Sequence, residues 1–207
     1  PSDILTRKSF ENAIIVNSAI GGSTNAPPHL QAIARHAGVS LSVNDWQKVG
    51  FEIPLLLNMQ PAGDFLGEAF FRSGGVPAVM GELLEAKLLH TDIKTVNGKS
   101  IGENIEKHKS KDTNVIKKVT NPIMKNAGFI VLSGNLFDSA LMKTSVISED
   151  FRKRFLSTNG EENILRAKAV VFEGPEDYHN RLNDPELNID EKTILFIRGV
   201  GCVGYPG

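Results

Sequence analysis

The stretch that most restricts how this chain can fold is Ala19-Ile20-Gly21-Gly22-Ser23-Thr24-Asn25-Ala26, followed at once by Pro27-Pro28. Paired prolines fit a helix only in its first turn, where the missing N–H groups have no intrahelical partner to lose. Beyond Asn25 the apolar residues Ala26, Leu30, Ile33, Ala34 and Ala37 recur at helical spacing, and Gly38 stands where a left-handed cap ends such a run. A helix therefore starts near Ala26, and the glycines turn the chain into it. Two readings of the turn stay open. Thr24 or Asn25 is an ordinary N-cap between two helices. Alternatively, free amides, the helix dipole and the hydroxyls of Ser23 and Thr24 together hold a carboxylate or phosphate.

The surrounding chain predicts further elements. Thr6 is placed to cap a helix over 7–20 whose inner stripe includes Phe10, Ala13, Ile14 and Asn17. Ser42 and Asp45 form a Ser-x-x-Asp cap for a short helix carrying Trp46 and Val49. Residues 53–57 have strand length, with Pro54 confining them to an edge or a strand start. The polar turn 58–64, with Pro61 and Gly63, is a candidate to line a site. Two helices follow, one carrying Phe65, Leu66, Ala69 and Phe70, the other Val79, Met80, Leu83 and Leu84, separated by Ser73-Gly74-Gly75. Asn97-Gly98 suits a two-residue hairpin turn, and Ser100 with Glu103 makes a capping box. Composition then shifts toward Lys, Asn, Asp and Thr. Strands are expected over 128–132, 140–147, 167–172 and 193–197, with short helices over 149–156 and 175–182. The organisation expected is a helix-rich α/β part over 1–110, a linker over 111–126 and a β-rich domain over 127–207.

Several function classes are disfavoured. Twenty-three basic against twenty-four acidic side chains give no global field toward nucleic acid or an anionic membrane. No apolar run approaches the ~20 residues of a membrane span, and no signal peptide opens the chain. The single cysteine, Cys202, makes no internal disulfide, so a reducing, cytoplasmic setting is the default. The run from Gly199 to Gly204 satisfies G-x-G-x-x-G after a predicted strand, yet Tyr205-Pro206-Gly207 follows in place of a helix, so a nucleotide-dependent oxidoreductase is the weakest reading. His29, His36, His90, His108 and His179 show no metal-ligand spacing. His29, just after the glycine-rich turn, is expected to pack or cap, with a bound anion as its other use. Asp64 and Glu68 read as a solvated helix start, and Lys143 with Thr144 as edge positions in an apolar strand.

Five segments in order give the chain a resemblance. They are Leu5-Thr6-Arg7 with Phe10-Glu11-Asn12-Ala13; Gly21-Gly22-Ser23-Thr24-Asn25-Ala26; Gly74-Gly75-Val76-Pro77-Ala78-Val79; Ser133-Gly134-Asn135-Leu136; and Ile197-Arg198-Gly199 leading to Gly204-Tyr205-Pro206-Gly207. Together they resemble the dihydroxy-acid and sugar-acid dehydratases, the family that includes phosphogluconate dehydratase. The run Asn58 to Gly63, the run Met142-Lys143-Thr144-Ser145, and Tyr205 look more like the aldonic-acid branch.

The resemblance implies a three-layer type α/β domain, a barrel-like C-terminal domain and an active site between them. It implies a hydro-lyase turning a 2,3-dihydroxy acid into a 2-keto acid, with an iron-sulfur cluster and magnesium as cofactors, and a homo-oligomer in the cytoplasm. By the same resemblance Gly21, Gly22, Ser23, Thr24 and Asn25 shape the substrate site, and Gly204, Tyr205, Pro206 and Gly207 form an active-site loop beside the metal. The cluster cysteines of the family precede the Gly-Gly-Ser-Thr-Asn segment, whereas Cys202 follows it. The family's acidic metal ligand and serine base would lie past Gly207. The expectation is thus an internal fragment, inactive alone, with cofactor ligands elsewhere in the parent enzyme. No catalytic residue or metal ligand is assigned here. A noncatalytic anion-binding or oligomerisation module on the same scaffold is the alternative.

Overall fold

Thr6 opens the first helix, α1 (Arg7–Ala19), through a reciprocal box. Its hydroxyl accepts from the Ser9 amide, and the Ser9 hydroxyl accepts from the Thr6 amide at 3.2 Å. Serine thus does the work usually given to a glutamate three residues in. In this computed structural model residues 1–156 and 164–200 are described. The chain divides into two compact units, Pro1–Ile147 and Ser148–Gly207.

The first unit holds α1, α2 (Ala26–His36), α3 (Val43–Gly50), α4 (Gly67–Arg72), α5 (Gly75–Glu85) and α6 (Ile101–Ile105), then strands β1 (Phe129–Leu132) and β2 (Ala140–Lys143). Its main core joins Ile15 and Ala19 of α1, Val79 and Leu83 of α5, Leu56 and Ile116, all nearly or fully buried. Each such aliphatic side chain contributes ~1.5–3 kcal/mol by leaving water. A second cluster sets Trp46 edge-on to Phe129, ring centroids 5.4 Å apart, with Ile14 against them. Asn12 is buried but satisfied: its amide group donates to the His90 carbonyl and accepts from the His90 amide at 2.8 and 2.9 Å.

Two strand expectations are corrected. Residues 53–57 form no strand; Leu55 pairs with Met124 and Leu57 with Ile116 as single bridges. Pro54 and Pro122 each remove a donor, so no continuous ladder can grow there. Segment 111–126, polar by composition, sends Val115 and Ile116 into the core. The strand expected over 140–147 ends at Lys143, because the Thr144 hydroxyl donates to the Gly128 carbonyl at 2.6 Å and a 3₁₀ turn, Thr144–Val146, follows.

The second unit contains α7 (Glu149–Phe151), which passes into a π-type turn over Arg152–Leu156, then β3 (Lys168–Phe172), α8 (Pro175–Arg181) and β4 (Thr193–Ile197). Strands β3 and β4 pair in parallel, register Lys168↔Thr193 to Phe172↔Ile197, with α8 between them in sequence. Pro175 just inside α8 starts that crossover, which parallel pairing demands. Val170 and Phe172 point inward while Val171 does not, and Tyr178 meets Phe172 edge-on. The observed architecture is a helix-rich first part and small strands later. The described residues show two separate two-stranded sheets, antiparallel β1–β2 and parallel β3–β4, and no closed barrel or three-layer sheet. No helix among them is long and apolar enough to cross a membrane.

Arg7 fastens the start of α1 to the start of α3. Its guanidinium donates to both Asp45 carboxylate oxygens at 2.6 and 3.0 Å and to Glu11 at 2.8 Å. The Arg7 hydrogen bonds hold the Asp45 carboxyl down at about 2, against the opposing effect of burial. Asp45 also accepts from the Ser42 amide at 2.7 Å, closing the cap of α3. Burial works to raise the Glu11 carboxyl, but Arg7 and His90 together hold it below its ordinary value. A depressed carboxylate stabilises the fold above its unfolded pKa and loses that contribution as pH falls toward its folded pKa. Asp45 should therefore give up roughly 1–2 kcal/mol between about pH 4 and pH 2, discounted because Arg7 is partly exposed. Urea unfolding followed over that window is expected to show the loss in the native protein and a flatter profile in Asp45→Asn.

Candidate functional site

The glycine-rich turn is first of all a helix ending. Gly21 sits at φ +60°, its amide donating to the Ser18 carbonyl at 3.1 Å, and the Gly22 amide reaches back to the Asn17 carbonyl at 2.8 Å. This pair of bonds is the Schellman arrangement, which satisfies the last carbonyls of α1 and needs a left-handed residue at Gly21. Gly22 answers a different need. A β-carbon there would lie 2.0 Å from Asn17 Oδ1.

On the other side of the turn the expected helix start is present, with Asn25 as its N-cap residue. Asn25 occupies the N-cap position of α2 with no capping bond from its side chain. The Asn25 amide donates to Ser23 Oγ at 3.1 Å and the Ala26 amide to the Ser23 carbonyl at 3.1 Å, while Pro27 and Pro28 have no N–H. The first turn of α2 therefore has no spare amide to offer an anion. Just before it, the amides of Ser23 and Thr24 have no intramolecular partner among the described residues.

Around this turn lies a recess of about 470 Å³, wholly inside the first unit. Gly21, Gly22, Ser23 and Thr24 form one wall, and the turn from Asn58 to Gly63 lines the recess as well. Leu55, Leu57 and Ile123 make an apolar floor, and Lys143 and Ser145 enter from the end of β2. The 58–64 turn is held shut by its own side chains: Asn58 donates to the Asp64 carboxylate at 3.0 Å and accepts from the Asp64 amide at 2.9 Å. Gly63 lets this fold back closely, since a β-carbon there would be 2.5 Å from Asn58 Oδ1 and the Met59 nitrogen. Asp64 is thus a structural clasp, and Glu68 pairs with Arg72 at 2.6 Å, so these two carboxylates make no acid/base pair.

Lys143 was legible as a strand residue and not as a site residue. Its ammonium donates to the Gly21 carbonyl at 2.5 Å, stitching β2 to the helix ending, and burial lowers its pKa. Ser145 Oγ is buried in the same recess with no hydrogen-bond partner. No local signal marks Lys143: a lysine closing the partly buried strand Ala140–Lys143 reads as an edge residue whose charge reaches solvent. His29 lines a different hollow with Leu5, Ile33 and His36, away from the glycine-rich turn. Of the other expected site residues, Asn25 does not line the recess, and Gly204, Tyr205, Pro206, Gly207 and Cys202 lie outside the described residues.

The donor set does not suit the cofactors that the resemblance implies. An iron-sulfur cluster needs several thiolates, and the 207 residues contain one cysteine. Among the described residues no three His, Cys, Asp or Glu side chains gather to hold a metal ion. The recess is mostly apolar in its lining, with one ammonium, amide groups and hydroxyls set into it, an arrangement suited to binding and orienting a small hydroxylated anion.

Comparison with known proteins agrees with the motif pattern. The sequence model for the dihydroxy-acid/6-phosphogluconate dehydratase N-terminal domain matches residues 1–104, and the corresponding C-terminal model matches residues 114–207. D-xylonate dehydratase of Caulobacter vibrioides is 55% identical over 207 residues, which is 100% of this chain and 35% of that protein. L-arabinonate dehydratase of Rhizobium leguminosarum bv. trifolii is 39% identical, with 100% of this chain and 34% of that protein covered. Dihydroxy-acid dehydratase of Caldicellulosiruptor saccharolyticus is 38% identical, with coverages of 100% and 35%. The chain thus spans about a third of the length of the curated relatives it matches. With both family models matched in succession across nearly all of its residues, the chain belongs to the dihydroxy-acid/6-phosphogluconate dehydratase family.

Proposed function

We propose that this chain is a segment of a hydro-lyase that dehydrates a 2,3-dihydroxy carboxylic acid, a sugar acid in preference to a branched dihydroxy acid, to a 2-keto acid. The supporting observation is that the Gly21 to Thr24 and Asn58 to Gly63 turns, which carry the family resemblance, line one recess together with Lys143. The 55% identity to a D-xylonate dehydratase, against 38% to a dihydroxy-acid dehydratase, favours the sugar-acid branch.

The reaction removes the C2 proton and the C3 hydroxyl as water, leaving an enol that tautomerises to the keto acid. Hydroxide leaves poorly and the C2 proton is weakly acidic, so charge must be stabilised at both carbons. The residues of this chain bind and orient. Gln60, with the Ser23 and Thr24 hydroxyls, suits the successive hydroxyls of a polyhydroxy chain, and the apolar floor limits water around it. No proton transfer is assigned to any of them. In this reading any iron-sulfur cluster and magnesium ion are held by other parts of a longer enzyme, the strands of residues 127–207 belong to a barrel-like domain, and the enzyme is a cytoplasmic homo-oligomer whose isolated segment is inactive.

The test is the full-length enzyme carrying this segment, purified and reconstituted anaerobically and offered pentonates, hexonates and branched dihydroxy acids. Keto-acid formation from at least one pentonate, faster than from the branched acids, is the expected result. Binding of sugar acids without any keto-acid product would instead support a noncatalytic module.

A further inference from the structure

We infer that Lys143, assisted by the Ser145 hydroxyl, is the group that seats the substrate carboxylate in this recess, and that the N-terminus of α2 is not. The inference rests on the sugar-acid reading above and adds the residue that recognises the acid. Lys143 carries the one charged side chain among the described residues that line the recess. An ammonium has three N–H donors, and among the described residues its one bond is to the Gly21 carbonyl. No carboxylate of the described residues pairs with it, although Arg7, Lys8 and Arg72 all have acidic partners.

A half-buried cation that lacks a counter-charge has lost hydration without a return, which is the cause of its lowered pKa. An incoming carboxylate supplies the missing charge and accepts the two remaining donors. Ser145 offers a second donor of the right kind: its hydroxyl oxygen is buried in the same recess and unpartnered, an unfavourable condition that a ligand relieves. The first turn of α2 offers no competing anchor, because the Asn25 and Ala26 amides bond within the turn and the next two residues are prolines; the Ser23 and Thr24 amides ahead of it carry no formal charge to match an ammonium. The tie from Lys143 to the Gly21 carbonyl also fixes the ammonium against the Ser23 and Thr24 wall, so charge and hydroxyl recognition are held in one geometry.

The experiment uses the reconstituted full-length enzyme with D-xylonate as substrate and its uncharged amide, D-xylonamide, as competitor. The native enzyme should bind the acid at least ~10-fold more tightly than the amide. Lys143→Met and Lys143→Gln should raise KM for the acid ~10–100-fold, change kcat far less, and erase the preference for acid over amide. Lys143→Arg should restore most of the preference, and Ser145→Ala should raise KM by a few-fold to ~10-fold. Native enzyme that does not distinguish acid from amide overturns the inference without any variant. So does a folded Lys143→Gln or Lys143→Met, by far-UV circular dichroism, that keeps the native preference, or one that loses kcat with KM unchanged. An enzyme that dehydrates none of the acids defeats the functional reading itself, a result separate from these.

Discussion

Trp46→Ala is expected to destabilise the first unit by ~3–5 kcal/mol, a large fraction of the stability a unit of this size has. Trp46 is fully buried, it meets Phe129 edge-on at 5.4 Å, and Ile14 of α1 packs on the same cluster. The indole is therefore the junction between α1, α3 and the β1–β2 hairpin, and alanine would leave a cavity that three elements cannot all collapse into. The indole nitrogen sharpens the prediction, because Nε1 is buried with no hydrogen-bond partner. Trp46→Phe keeps most of the packing and deletes an unsatisfied donor, so its cost should fall to ~1 kcal/mol or less. Urea unfolding monitored by circular dichroism separates the two. Equal losses for both variants would mean that ring volume at this site matters little and that the indole N–H carries the stability.

What could be read from the sequence divides along a physical line. Elements set by local chemistry were legible: the Thr6, Ser42 and Ser100 caps and the proline-bearing start of α2 all place helices where the structure has them. Features set by distant partners were not. Residues 53–57 look like a strand because they are apolar and short, yet their neighbours at 115–124 bond to them only at separated points. The parallel pairing of β3 with β4 depends on how α8 returns the chain, which strand composition does not encode. Within the recess, the Gly21 to Thr24 wall was legible from its glycines and hydroxyls, and so was the 58–64 turn. Lys143 was not, since its role comes from a carbonyl 122 positions earlier in the chain. At the start of α2 the two prolines remove two amides, so the amides of the turn that stay free among the described residues are those of Ser23 and Thr24, the two residues before the N-cap.

Gly128→Ala should cost about 3 kcal/mol or more and should weaken the recess as well, which makes it the change that couples fold to site most directly. Gly128 is not in the left-handed region, so the argument is purely one of space. A β-carbon there would stand 2.0 Å from the Gly50 carbonyl oxygen, 2.4 Å from its carbon and 2.9 Å from the Phe51 Cα. These are backbone atoms at the end of α3, and no rotamer change clears them; the start of β1 must move off the helix. That movement takes the Gly128 carbonyl with it. The carbonyl accepts both the Thr144 hydroxyl at 2.6 Å and the Thr144 amide at 3.3 Å, and Thr144 stands between Lys143 and Ser145. Displacing Gly128 therefore loosens the two residues that enter the recess, and the full-length Gly128→Ala enzyme should show a raised KM together with a lowered unfolding midpoint. Gly134→Ala is the matched control: a β-carbon there meets nothing within 4 Å, so its effect should stay within about 0.5 kcal/mol. A Gly128→Ala protein as stable as the Gly134→Ala control would show that β1 does not lie this close to α3, and with it would go the support that holds Lys143 in place.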